Sequence, residues 1–183
     1  MRRKQAEFAT DPVAFEAFYL RHVEGITRFL ARRVDAPQMV ADLVADVFLA
    51  VMESAHTYRQ GRGSEVAWLY GVARNTLSAE RRRSLRESQL TDRVSRRRPL
   101  DNDDIARLEE RIDAEGPARR AFEAMADLPE GERAVLELIV LDQLTVTEAA
   151  GALGIRSGTA MVRLHRARRT LKELPFVMEG IGR

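Results

Sequence analysis

The residues best suited to chemistry in this sequence are basic, and they concentrate near the C-terminus. Five arginines, one lysine and one histidine lie between positions 156 and 172, and no acidic residue interrupts them. The planar guanidinium of arginine binds phosphate and guanine through paired hydrogen bonds. This segment therefore indicates a helix that binds nucleic acid, and the alternative is a solvated basic face on an ordinary helical hairpin.

The residues just before this basic segment can position it as the second helix of a helix-turn-helix. Thr145 and Glu148 have the spacing of a capping box at the start of a short helix. Gly154 stands where a tight turn requires a positive φ angle, and Ser157 can cap the following helix. The residues expected on the inward face of that helix are Ala160, Leu164, Ala167 and Leu171. Such a helix fits the major groove of DNA.

Composition excludes several classes of site. The 183 residues are 45% hydrophobic and 32% charged, with a net charge of +2, and they include no cysteine, so disulfides and thiolate metal sites are excluded. The three histidines are scattered and no glycine-rich phosphate loop occurs. We therefore expect no catalytic site, metal, cofactor or small-molecule substrate. Without an apolar run of membrane-spanning length or a signal-peptide core, we expect a cytoplasmic protein with no membrane insertion.

Apolar periodicity predicts an all-α protein of two small helical domains joined by a polar linker, with the helix-turn-helix in the second domain. Helices are expected to begin at Asp11-Pro12, near Ala36-Pro37 and at about Glu65, and a short one to span Ile105 to Ile112 within the linker. The alternative for this last segment is a helical hairpin packed on one domain. The predicted divisions are an N-terminal tail (1–10), a first domain (11–86), the linker (87–116), a second domain (117–175) and a C-terminal tail (176–183).

Two further patterns lie in the first domain. A spacing of seven residues places Trp68, Asn75 and Arg82 on one stripe of a helix. In such a stripe an aromatic ring can support an unstacked base, an amide can read a base edge and a guanidinium can hold phosphate. Core packing is the alternative for Trp68. Asp42 and Asp46 are one helical turn apart, and no third metal ligand lies nearby, so a metal site is not favoured. The two carboxylates instead indicate either a face that docks on a basic partner or a simple solvated acidic face.

The two halves independently resemble the extracytoplasmic-function (ECF) class of bacterial sigma factors. The C-terminal half resembles the promoter −35-binding domain in Leu128-Pro129, Glu148-Ala-Ala150, Leu153-Gly-Ile155, Gly158-Thr159 and Arg163-Leu-His-Arg-Ala-Arg168. The N-terminal half resembles the clamp-binding helix in Asp42-Leu-Val-Ala-Asp46-Val-Phe48-Leu, and the helix that opens the −10 element in Trp68-Leu-Tyr-Gly-Val-Ala-Arg-Asn75 with Arg82-Arg83.

The resemblance implies a function, partners and roles for residues. The chain is expected to bind core RNA polymerase, recognise −10 and −35 promoter elements and promote strand opening, with an anti-sigma factor as a further partner. Contacts to −10 DNA are expected from Arg59, Arg62, Trp68, Arg74, Asn75, Ser78 and Arg82. Contacts to −35 DNA are expected from Arg156, Ser157, Thr159, Met161, Val162, Arg163 and Arg166. Polymerase contacts are expected from Asp42, Asp46, Leu49 and Glu53.

The sequence departs from the family pattern inside the predicted recognition helix. Ala160-Met161-Val162 replaces the commoner valine, basic residue and serine. Apolar side chains meet thymine methyl groups but form no hydrogen bond with guanine, so this departure leaves the −35 preference open, whereas DNA binding is still expected. The main functional alternative is a stand-alone helix-turn-helix repressor or activator, which binds intact duplex without polymerase. A helical interaction protein is a remoter one, and the arginine-rich last helix argues against it.

Overall fold

The structure is a computed structural model that describes residues 11–58, 63–88, 102–114 and 125–173. Within these ranges every regular element is helical, which confirms the all-α prediction. A 3-10 turn at Ala55–Thr57 follows the second helix. The α-helices of the described ranges are α1 (Pro12–Ala31), α2 (Pro37–Ser54), α3 (Glu65–Ser88), α4 (Asn102–Ala114), α5 (Glu130–Val140), α6 (Val146–Ala152) and α7 (Ser157–Glu173).

The chain forms two compact units, and α3 contributes to both. The first unit comprises residues 1–59 and 72–114, and the second comprises residues 60–71 and 115–183. The first two turns of α3 therefore belong to the unit that contains α5, α6 and α7. The predicted boundary at position 86 did not anticipate this sharing, and the domain divisions proposed from sequence stay predictions.

In the first unit, α1 and α2 pack through aromatic and aliphatic side chains. The Asp11 side chain accepts from the Val13 amide at 3.1 Å and Pro12 is the first helical residue, so α1 begins where the sequence predicted. The ring of Phe48 lies 6.3 Å from that of Phe18 and 4.7 Å from that of Tyr19, centroid to centroid. The other large buried side chains of this core are Ile26, Phe29, Leu30, Val40, Leu43, Val47 and Val51.

Helix α4 packs on α1 and α2 and is longer than the helix expected in the linker. Its half-buried apolar side chains are Ile105, Leu108 and Ile112, at the three- and four-residue steps of one helical face. Its charged residues are exposed. The described segment is thus one helix packed on α1 and α2, and the alternative of a helical hairpin packed on one domain stays a prediction.

In the second unit, the predicted capping box and glycine turn both form. The Thr145 hydroxyl accepts from the Glu148 amide at 3.2 Å, and the Glu148 carboxylate accepts from the Thr145 amide at 3.0 Å. Gly154 has a φ of +64°. The amides of Gly154 and Ile155 donate to the carbonyl oxygens of Gly151 (3.1 Å) and Ala150 (3.0 Å), the hydrogen-bond pattern of a Schellman turn.

The inward face of α7 is the one predicted from the sequence. Ala160 and Ala167 are fully buried, and Leu164 and Leu171 are each 7% exposed. They share a core with residues of the preceding helices and turns, namely Met125, Leu128, Val135, Leu136 and Ala150. The expected cap at Ser157 is wrong, because Ser157 is already helical and the Arg156 carbonyl oxygen accepts the bond from the Ala160 amide.

The start of α3 approaches α6 closely within this unit. Ser64 caps α3, since its hydroxyl oxygen accepts from the Ala67 amide at 3.1 Å, and its side chain also hydrogen-bonds the Glu148 carboxylate. A Cβ added to Gly151 would lie 3.0 Å from the Ala67 Cβ. A Cβ added to Gly71 would lie 3.4 Å from the carbonyl oxygen of Ala152.

Partial burial of Glu148 by itself raises its pKa. Hydrogen bonds from the Thr145 amide, the Thr145 hydroxyl and the Ser64 side chain favour the ionised form and outweigh the burial, so the pKa lies below its ordinary value of 4.5. A carboxylate whose pKa is lowered by folding stabilises the fold above the unfolded-state pKa. That stabilisation is lost as the pH falls through the lower, folded-state value.

We expect Glu148→Gln to destabilise the second unit near neutral pH and to make little difference under acid. The loss in free energy of unfolding at pH 7 should be a fraction of the roughly 1 kcal/mol that a helix cap contributes, because the carboxylate is largely solvated. Chemical unfolding of both chains between pH 7 and about pH 3 measures this loss. Glu130→Gln, an exposed acid in the first turn of α5, where no side chain caps the helix, is the control. A difference in free energy of unfolding between Glu148→Gln and the parent chain that is independent of pH would contradict this account.

Candidate nucleic-acid interface

The outward face of α7 is basic where it is exposed to solvent. Burial of the small and leucine side chains on one face leaves the arginines on the other. The exposed basic residues of this face are His165, Arg166, Arg168 and Arg169, and Arg156 is exposed just before the helix. A cationic face opposite a packed face suits the phosphate backbone on either side of a groove.

The first turns of α7 carry the side chains that a groove-bound helix presents to base edges. Thr159 is exposed and Ser157 is half-buried. Met161 is 59% and Val162 52% exposed, which is unusual for apolar side chains on a packed helix. Two residues of the departure from the family pattern, Met161 and Val162, therefore lie on the solvent side, whereas the third, Ala160, is buried in the core.

The Arg163 side chain turns toward α5. A Cβ added to Gly131 would lie 3.0 Å from the Arg163 Cζ and 3.1 Å from Nη1, so the guanidinium rests against the first turn of α5. That turn contains two acids, Glu130 and Glu132. Arg163 is half-buried in this position, in contrast to Arg166, which is exposed. Its expected contact with −35 DNA stays a prediction, and its packing against α5 was not predicted from the sequence.

On α3, the stripe predicted to read −10 DNA lies away from the buried face. Leu69, Ala73 and Leu77 are buried at four-residue steps. On the opposite side, Asn75 and Arg82 are exposed and Trp68 is half-buried, so Trp68 is not a fully buried core residue. Of the other residues predicted for this role, Ser78 is exposed, Arg74 is half-buried, and Arg59 and Arg62 lie outside the described residues.

The face of α2 predicted to bind polymerase is apolar with an acidic border. Leu49 is 57% exposed and Glu53 is exposed, whereas Asp42 and Asp46 are half-buried. The Gln38 amide group donates to the Asp42 carboxylate at 3.2 Å. Met52, 51% exposed, joins this face and was missed from the sequence, although it falls outside the buried stripe of α2 as Leu49 does.

Two kinds of site are absent from the described parts of the chain. The described residues hold no group of three or more histidine, aspartate or glutamate side chains placed to bind a metal ion. Among the helices that the structure describes, none combines the length and the apolar character needed to cross a bilayer.

Comparison with protein families assigns both halves of the chain. Residues 18–87 match the family described as Sigma-70 region 2, and residues 119–171 match Sigma-70, region 4. The first match covers α2, residues 18–31 of α1 and nearly all of α3, and the second covers the helix-turn-helix. The three surfaces described above, on α2, α3 and α7, therefore each fall within a recognised sigma-factor region.

Curated relatives agree with this assignment along most of the chain. The ECF RNA polymerase sigma factor SigF of Caulobacter vibrioides is 34% identical over 146 residues, which is 79% of this chain and 75% of the relative. The ECF RNA polymerase sigma factor ShbA of Streptomyces griseus is 33% identical over 141 residues, 76% of this chain and 73% of the relative.

A solved structure agrees in fold. The sigma factor RpoE of Bartonella quintana, crystallised with the anti-sigma factor NepR, superposes with a TM-score of 0.60 at 21% identity, covering 90% of this chain and 98% of that one. The family matches and the curated relatives together show what the protein is. The chain belongs to the ECF RNA polymerase sigma factors, which bind core RNA polymerase, recognise promoter DNA and start transcription.

Proposed function

We propose that this sigma factor divides promoter recognition between two exposed helical faces, with α3 reading the −10 element and α7 the −35 element. The observation that carries the proposal is the separation of faces on both helices. Each has one side packed in a core and another side bearing exposed basic or base-reading residues. Residues on those outer sides reach DNA without unfolding the unit that holds them.

Helix α7 has the dimensions of a major-groove reader. Its 17 residues span about 25 Å, and the first turns of such a helix meet base edges while later residues meet phosphates. Thr159, Met161 and Val162 occupy the base-reading positions, and Arg166 occupies a phosphate position. Met161 and Val162 favour thymine methyl groups, so the −35 element of this protein is expected to differ from guanine-rich ones.

Helix α3 has the residues needed to keep a base out of the stack. An unstacked base loses its neighbours and its pairing partner, and an aromatic ring together with an amide replaces both. Trp68 and Asn75 supply these groups on one stripe, and Arg82 continues the stripe toward a phosphate. Arg74 and Ser78 flank it.

The exposed side of α2 is the proposed docking surface for core polymerase. Leu49 and Met52 offer apolar area, and Glu53, Asp42 and Asp46 add negative charge around it. A charged border around an apolar centre favours orientation and specificity of docking. The surface lies on an element packed from its other side by α1.

Two further properties follow from the family and stay proposals for this chain. Sigma factors are in general not enzymes, and we infer that bond formation belongs entirely to the polymerase. The RpoE structure contains an anti-sigma factor, and we infer that a protein of that kind also binds this chain and holds it inactive.

Replacing Asn75 with alanine is expected to impair strand opening and leave polymerase binding intact. Open-complex formation, measured by permanganate reactivity of −10 thymines, should fall by about tenfold, since base-edge contacts are worth about 1–3 kcal/mol. Affinity for core polymerase, measured by fluorescence anisotropy, should not change. Ser84→Ala, an exposed change on another face of α3, is the matched control. Equal loss of opening and of polymerase affinity would remove Asn75 from the −10 surface.

Replacing Arg166 with alanine is expected to weaken the hold on −35 duplex in a salt-dependent way. One lost phosphate contact lowers the slope of log affinity against log salt concentration by about 1. Titrating the polymerase complex with labelled promoter at several salt concentrations measures the slope. Arg107→Ala removes the same charge from α4, where the side chain is 75% exposed, and should leave the slope unchanged. Identical slopes for Arg166→Ala and the parent chain would exclude this phosphate contact.

A further inference from the structure

The first two turns of α7 contain one guanidinium, and it rests on a neighbouring helix. Between Ser157 and Arg163 the only basic residue of the sequence is Arg163 itself. Its Cζ, Nη1 and Nε atoms lie 3.0, 3.1 and 3.3 Å from the position that a Cβ on Gly131 of α5 would occupy. The exposed side chains of the same two turns are those of Thr159, Met161 and Val162.

Gly131 makes room for the guanidinium. The backbone of Gly131 does not require glycine, because it is helical and the described glycine with a positive φ is Gly154. Alanine would also favour a helix more than glycine does. A Cβ at 3.0 Å from the Arg163 Cζ is closer than the optimal separation of carbon atoms, about 3.5–4.0 Å, so a side chain at position 131 would displace the guanidinium.

The charge of the first turn of α5 also favours a guanidinium at this place. Two acids, Glu130 and Glu132, stand on either side of Gly131 in the sequence. Arg133 is directed elsewhere, since its Nε lies 3.5 Å from the Glu137 carboxylate and its Nη1 donates to the Ala126 carbonyl oxygen at 3.2 Å. Solvent screens charges at a partly exposed site, so this attraction is modest and the guanidinium is able to leave if position 131 is filled.

A displaced Arg163 would join the base-reading side of α7. Thr159 lies one helical turn before Arg163, so the two residues share a side of the helix, and Thr159 is exposed there. A guanidinium in the first turns of a groove-bound helix binds O6 and N7 of guanine through paired hydrogen bonds. While Arg163 rests on Gly131, these turns instead present one hydroxyl and two apolar side chains to the groove.

We propose that Gly131 sets the base preference of the −35 reader by providing the place where Arg163 is held away from base edges. The proposal rests on the assignment of α7 to the −35 element. Met161 and Val162 then select thymine methyl groups, and the first two turns of α7 offer no guanidinium to guanine. Gly131 is a specificity-determining residue that acts through Arg163. The DNA contact expected for Arg163 from the sequence requires this side chain to leave Gly131.

Replacing Gly131 with leucine tests the proposal, because leucine fills the place of the guanidinium and favours a helix. The complex of each variant with core polymerase selects fragments from a pool in which the −35 positions of one transcribed promoter are randomised, and sequencing reports the base preferences. We expect Gly131→Leu to enrich guanine at a −35 position by about fivefold or more over the parent chain. A paired contact with guanine discriminates by roughly 5- to 150-fold.

Two further variants separate the guanidinium from the leucine. The double variant Gly131→Leu with Arg163→Ala keeps the leucine and removes the guanidinium, so it should show no gain for guanine. Arg163→Ala alone should keep the base preferences of the parent chain, and it tests the proposal even if leucine at position 131 disrupts α5. Thermal unfolding of each variant reports whether its fold is retained.

Three results would overturn the proposal. Parent-like preferences in a folded Gly131→Leu chain would mean that position 131 does not control base reading. A gain for guanine that persists in the double variant would mean that Arg163 is not the residue released. Loss of a −35 base preference in Arg163→Ala would mean that Arg163 already reads DNA. If the parent complex has no preference at any −35 position, the proposed function of α7 is overturned instead, and the inference with it.

Discussion

The direction of the basic face of α7 depends on one left-handed residue. Gly154, with a φ of +64°, lets the chain turn sharply after α6, and the amides of Gly154 and Ile155 close that turn on carbonyl oxygens of α6. A side chain at this position costs about 1–2 kcal/mol in the same conformation. Because the turn is fixed, Ala160, Leu164, Ala167 and Leu171 all enter the core. Of the arginines between them, Arg166, Arg168 and Arg169 are then exposed, which gives α7 its basic outer face, and Arg163 is half-buried against α5.

The helix caps and the buried faces of single helices could be predicted from the sequence because each depends on residues that are close together in the chain. Asp11 with Pro12, and Thr145 with Glu148, are capping patterns whose hydrogen bonds span two or three residues. The inward face of α7 was correct because small and leucine residues recur at helical steps within one element. The same holds for the separation of Asn75 from the buried stripe of α3, since both follow from the period of a single helix.

The parts that the sequence did not predict are tertiary. Helix α4 packs on α1 and α2, and of its described side chains only Ile105, Leu108 and Ile112 are as much as half-buried. The many charges around these three residues favoured a linker. The guanidinium of Arg163 rests on Gly131, a residue 32 positions earlier with no side chain to mark the contact. The sequence around Ala67 and Gly71 has no apolar periodicity strong enough to indicate that the start of α3 contacts α6. Contacts made by backbone and small residues leave little trace in a hydrophobic pattern.

Helix α3 therefore contributes residues to both units. Its later turns belong to the first unit, and its first turns contact α6 in the second. The carboxylate of Glu148 caps α6 and also accepts a hydrogen bond from the Ser64 side chain at the start of α3.

The central claim is that this chain starts transcription as a sigma factor through core polymerase. Run-off transcription from a pool of the host's own promoters, with core polymerase alone, the chain alone and both together, tests it most directly. The account predicts discrete, promoter-specific transcripts only when both proteins are present. Transcripts that do not depend on the chain, or promoter opening by the chain without polymerase, would contradict it.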